Sequence, residues 1–185
     1  ITGLMALSTS AALAQTLSTD PFPTPIETTS DVIAVNFIEY ARIPNDDAGF
    51  APRLMHMLTE PGSGRRFVSA MTGELYGMNA DGSNVTLYVN INAPQWQVQV
   101  ISAGSERGVQ SFAFHPQFNQ MGTPGYGKFY TYADTSNTDV NPDFVSGGTR
   151  RSQDTVLLEW SANDASSAQY DGSAPREIFR AAQPF

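Results

Sequence analysis

From residue 32 onward the chain consists of short apolar runs of four to nine residues, separated by clusters of Gly, Pro, Asn, Asp or Ser. No run repeats its apolar residues at i, i+3 and i+4, the spacing a packed helix needs, and the polar stretch Ser161 to Gln169 reads as turns. This rhythm leaves an all-β chain as the predicted class, its strands joined by tight turns. Val32 to Tyr40 is a first strand candidate. Arg53 to Leu58, Phe67 to Met71, Glu74 to Met78 and Val85 to Val89 follow as four more. Their connectors include Glu60-Pro61-Gly62-Ser63-Gly64, Thr72-Gly73 and Asn79-Ala80-Asp81-Gly82-Ser83, which supply the residues that tolerate positive φ in hairpin loops.

Four consecutive strands joined this way form a four-stranded antiparallel meander, the size of one propeller blade. A second set follows with longer loops: Ser111 to Phe114, Lys128 to Tyr132, Thr155 to Trp160 and Glu177 to Arg180. Leu54 and Phe112, which mark the first strand of each set, lie 58 residues apart. That exceeds the roughly 40–50 residues of common propeller repeats, as a blade with a long insertion between Ala133 and Asp154 would.

Composition removes several functions. Ten basic side chains face 18 acidic ones, for a net charge of −8, and Lys128 is the only lysine. Without a basic run the chain has no means of tracking a phosphate backbone, so nucleic acid is excluded as a partner. The chain has no cysteine, which rules out disulfides, thiolate metal sites and a thiol nucleophile, and it has only two histidines, His56 and His115.

Residues 1–14 end in Ala12-Leu13-Ala14, the small-x-small pattern that precedes signal cleavage, and their apolar part is too short for stable membrane insertion. They read as the remnant of a secretory signal, and 15–31 as a Pro/Thr/Ser-rich linker. Residues 32–185 then form the folded part, in a protein exported to the periplasm or secreted.

Glu106 to Phe118 reads ERGVQSFAFHPQF. This segment resembles the signature of the glucose/sorbosone dehydrogenase family, soluble sugar dehydrogenases that use pyrroloquinoline quinone (PQQ) on a six-bladed β-propeller. Gly64 to Val68 with Thr72 to Tyr76, Gly127 to Tyr132, and Arg176 to Arg180 with Gln183-Pro184 are similar to further family stretches, in the same order. Val109-Gln110-Ser111 stand where the family usually has Leu-Leu-Gly, and Gln117 where an Asp is usual. Glu106 stands where glucose-oxidising members carry a glutamine that touches the sugar, which leaves the substrate open. The resemblance implies hydride transfer from a sugar hydroxyl to PQQ, a Ca²⁺ ion that polarises the quinone, and a histidine as general base. In the family that histidine follows the Gln-Pro stretch, so the resemblance places it beyond Phe185. The chain then reads as the N-terminal part of such a propeller, with no catalytic residue of its own and with most PQQ and Ca²⁺ ligands elsewhere.

Read by themselves, Phe112, Phe114 and Phe118 fill a blade core. His115, before Pro116, reads as a hydrogen-bonded turn residue, and His56 has the place of a structural side chain in an apolar strand. Glu106 and Arg107 precede the Gly that opens an inner strand. Loops there gather at the mouth of a propeller's channel, where a carboxylate and a guanidinium would bind a polyol or a quinone carboxylate. Asp134 to Asp143 lacks the spacing of a calcium loop and reads as a solvated insertion. The expected function is an exported quinone-dependent sugar dehydrogenase; the alternative is a non-catalytic β-propeller binding module.

Overall fold

The computed structural model describes residues 37–45, 49–102, 106–145, 147 and 152–183. The signal remnant, the linker and residues 32–36 of the first strand candidate lie outside them. The chain divides into Ile1–Ile38, of which Phe37 and Ile38 are described and irregular, and Glu39–Phe185, which holds every strand described below.

Among the described residues nine strands make two sheets: β1 (Leu54–Thr59), β2 (Arg66–Ala70), β3 (Glu74–Met78), β4 (Thr86–Asn90), β5 (Val109–Phe114), β6 (Lys128–Thr135), β7 (Phe144–Val145), β8 (Asp154–Ser161) and β9 (Arg176–Ala182). The first sheet runs β1-β2-β3-β4, antiparallel throughout. The second runs β5-β6-β8-β9-β7. Helical structure among the described residues is one 3₁₀ turn, Pro94–Trp96. The two four-stranded meanders have the strand order of adjacent propeller blades, and β1 and β5, the first strand of each, pack against one another.

The two facing sheets bury one continuous core. Phe67, Leu75 and Tyr88 of the first meet Phe112, Phe129, Val156 and Trp160 of the second. Aromatic side chains carry most of it. Phe67 and Phe114 meet edge to face with centroids 4.9 Å apart, and Phe129 stacks on Trp160 at 5.8 Å and 10°. Such pairs add about 0.5–1.5 kcal/mol each beyond their burial. Trp160 satisfies its indole N–H on Thr131 Oγ1 at 2.9 Å, which lets an amphipathic ring sit fully buried.

Two expectations are corrected. Phe37 to Tyr40 form no strand, and the chain from Tyr40 onward covers a sheet face with side chains instead of pairing its backbone. Tyr40 lies 4.8 Å from the Arg66 guanidinium, and Ala41 and Ile43 pack on Val68, Tyr76 and Met78. The Asp134 to Asp143 stretch is not a solvated insertion throughout. Asp134 is buried inside β6, which runs three residues further than its apolar run suggests. Asp143 accepts the Arg180 N–H at 2.8 Å and donates its own N–H to the Arg180 carbonyl at 2.9 Å. That docking brings β7 alongside β9 in parallel pairing, so the second sheet is mixed rather than purely antiparallel.

Glu159 illustrates how a mid-strand charge is held. Its side chain is 11% exposed and meets Arg176 at 3.0 Å and Lys128 at 3.5 Å, while Tyr130 donates to it at 3.2 Å. Burial opposes its ionisation, but the hydrogen bond from Arg176, the Lys128 charge and the Tyr130 hydroxyl outweigh that and hold the carboxyl below the ordinary glutamate range. A depressed folded-state value contributes stability above the unfolded glutamate pKa, and that contribution is lost as pH falls through the folded value. Glu159→Gln should therefore lower the urea midpoint at pH 7, and the gap to wild type should close on acidification below about pH 4.

Candidate functional site

Glu106 and Arg107 reach the first residues of β5 through Gly108, and Gly108 fixes where they stand. Its φ of +138° is one that L side chains rarely adopt, and a Cβ there would lie 2.2 Å from the Met71 carbonyl oxygen. The close approach has a purpose: Val109 donates its N–H to that same carbonyl at 2.9 Å, which ties the start of β5 to the end of β2. Gly108→Ala should lower stability by about 2–4 kcal/mol through strain and backbone overlap, read as a fall in the urea midpoint.

The other anchor is Asp134. Asp134 and Gly108 are joined by a backbone hydrogen bond of 2.9 Å, and the Asp134 carboxylate accepts the Gly108 N–H at 3.3 Å, Gln110 Nε2 at 3.1 Å and Thr155 Oγ1 at 2.8 Å. Gln110 is the extra residue of a bulge between Val109 and Ser111, and bulges re-aim a side chain out of the normal alternation. Here the carboxamide is turned back, so Gln110 Nε2 also donates to the Glu106 carbonyl at 2.6 Å. Gln110 thus becomes a polar strut that joins Asp134 to the Glu106 backbone.

These side chains line a cleft of about 510 Å³ together with Tyr132, Gln153 and Gln183. Hollows beside Trp96 and beside Leu54 measure about 250 Å³ each. Three carboxamides, two hydroxyls, two carboxylates and one guanidinium converge on the cleft, and nearly every one can hydrogen-bond a hydroxyl. Glu106 and Arg107 therefore lie together at one cleft. Asp134, Gln153 and Thr155 join them without a motif of their own, and Gln183 joins them from the Gln-Pro stretch.

Neither histidine reaches the cleft. His115 sits at the opposite end of β5, roughly 20 Å along the strand from Gly108. Its Nδ1 accepts the Gln117 N–H at 3.1 Å, and its ring is so close to Gly125 that a Cβ there would lie 1.9 Å from it, so it fixes a turn. His56 is exposed on β1, its ring perpendicular to that of Phe112 at 5.9 Å.

The donor set bears on the cofactors that the resemblance implies. A carboxylated quinone needs cations, and the cleft offers Arg107 against Glu106 and Asp134, so it does not fit that group. Among the described residues no group of three or more Asp, Glu or His side chains stands ready to hold a metal ion, so Ca²⁺ is not placed on them. No helix among them is long and apolar enough to cross a membrane.

No protein-family model matches the chain, and no curated protein matches it. Among solved structures it is similar to the PQQ-bound form of the aldose sugar dehydrogenase of Streptomyces coelicolor and to the apo-form of the soluble aldose sugar dehydrogenase of Escherichia coli. Each similarity has 16% sequence identity and a TM-score of 0.45, and covers 70% of this chain. The chain spans 30% of the length of either structure.

Proposed function

We propose that the chain carries the sugar-binding side of an exported, quinone-dependent sugar dehydrogenase, which oxidises a sugar hydroxyl by hydride transfer to PQQ. The observation that carries this reading is the placement of the signature-like segment. Its first residues, Glu106 and Arg107, stand at the mouth of a cleft lined by Gln110, Asp134, Gln153 and Gln183. Hydroxyl-rich ligands are recognised by paired donors and acceptors of this kind. Glu106 accepts from a sugar hydroxyl, Arg107 donates to a ring or hydroxyl oxygen, and the Asp134–Gln110 strut holds both in place. The residues described here bind and orient; the quinone, when bound, supplies the electron sink. PQQ, Ca²⁺ and the general base belong to residues outside this cleft.

Dye-coupled oxidation tests the reading in the full-length protein, with a panel of aldoses and polyols, with and without added PQQ and Ca²⁺. Quinone-dependent reduction with at least one sugar is expected. Sugar binding without turnover under any condition would leave the non-catalytic binding module as the better account.

A further inference from the structure

Among the described residues four buried side-chain atoms have no hydrogen-bond partner: Ser69 Oγ, Tyr88 Oη, Trp96 Nε1 and Gln153 Oε1. Gln153 is the one of these four residues that lines the cleft, and it is 7% exposed. Gln153 immediately precedes β8 and lines the same cleft as Thr155, whose hydroxyl bonds Asp134. Buried acceptors left without a donor are rare in native proteins and concentrate at functional sites.

Thr155, Gln183 and Gln110 direct protons to partners other than Gln153. The hydroxyl proton of Thr155 goes to Asp134, Thr155 in turn accepts Gln183 Nε2 at 2.6 Å, and Gln110 divides its amide group between Asp134 and the Glu106 carbonyl. The backbone carbonyl of Gln153 is taken by the Gln183 N–H at 3.0 Å, so its side-chain oxygen is the acceptor left over. We infer that Gln153 is a ligand contact, its Oε1 accepting a hydrogen bond from one hydroxyl of a neutral polyol bound in the cleft. This rests on the sugar-binding reading and adds to it a specificity-determining residue. The two carboxylates against one guanidinium further select against sugar acids and sugar phosphates.

The test compares wild type with Gln153→Leu in the full-length protein, by calorimetric titration of an aldose and its monodeoxy series, thermal melting and the dye-coupled assay. The variant is expected to melt at the wild-type temperature or above it, because it removes an unsatisfied polar atom. It should bind the parent aldose about five- to tenfold more weakly, and one deoxy sugar should bind both proteins alike. Equal affinity of the two proteins for every sugar would overturn the inference and leave Gln153 as the seat of a water molecule. So would a melting point lowered by several degrees, which would mean that Oε1 is already bonded within the protein. Gln153-dependent binding without quinone turnover would retire the dehydrogenase and keep the contact; turnover indifferent to Gln153→Leu would do the reverse. If no sugar binds, both fall.

Discussion

Arg65→Ala should lower stability by about 3–5 kcal/mol, the range for removing one partner of a buried ion pair. For a domain of this size that is a drop of roughly 10 °C or more in melting temperature. Arg65 follows the β1–β2 turn and pairs with Glu60, whose side chain is 0% exposed. The same guanidinium donates to the carbonyls of Ala165, Ser166 and Ser167, in the segment after β8, with 2.8 Å to Ser167. One side chain therefore neutralises a buried carboxylate and ties the first sheet to the second. Removing it strands Glu60, apart from the bond it receives from Ser63, in a site that water does not reach. The paired replacement Glu60→Met with Arg65→Met removes both charges and should recover much of the loss, since apolar isosteres of buried ion pairs are commonly tolerated. Differential scanning calorimetry of the three proteins reads this directly. A loss of less than 1 kcal/mol for Arg65→Ala would show that the pair is solvated.

Asp134→Ala should have a comparable effect on stability, about 3 kcal/mol, and a larger one on ligand binding. It leaves the Gly108 N–H, Gln110 Nε2 and Thr155 Oγ1 without their charged acceptor, and hydrogen bonds to charged groups contribute about 1.5–3 kcal/mol each, not additively. Because Gln110 and Gly108 locate Glu106 and Arg107, sugar affinity should fall tenfold or more. Asp134→Asn keeps one acceptor oxygen for Thr155 and should preserve most of the stability. Its second position presents an NH₂ to the Gly108 and Gln110 donors, so it should still weaken binding. Titration calorimetry beside urea unfolding separates the two effects. Asp134 would be no positioning residue if the Asn variant bound sugar at wild-type affinity.

Local rhythm made the sheets legible. Glu74 to Met78 matches β3 end for end, and the remaining predicted strands from Arg53 onward coincide with observed ones to within three residues at either end. The turn chemistry between them is strong, and the apolar runs match the buried faces. What escaped depends on tertiary contact. β7 has two residues and exists because Asp143 docks on the Arg180 backbone, an event without a local signal. Phe37 to Tyr40 has strand-forming residues, yet Tyr40 and its successors serve as a cover for the first sheet. The cleft was half visible. Glu106 and Arg107 stand out through the segment they open, whereas Gln153, just before β8, and Gln183, just after β9, meet only when those strands pair. Gln110 was seen as a departure from a family pattern, and its role emerged from the bulge that turns it.

The most direct measurement of the central claim is a crystal structure of the full-length protein soaked with an aldose that it binds. The sugar should lie in the cleft between β5, β6 and β8, with its hydroxyls within hydrogen-bonding reach of Glu106, Arg107 and Gln153. A sugar bound only at another place on the molecule, with this cleft holding solvent alone, would contradict the account.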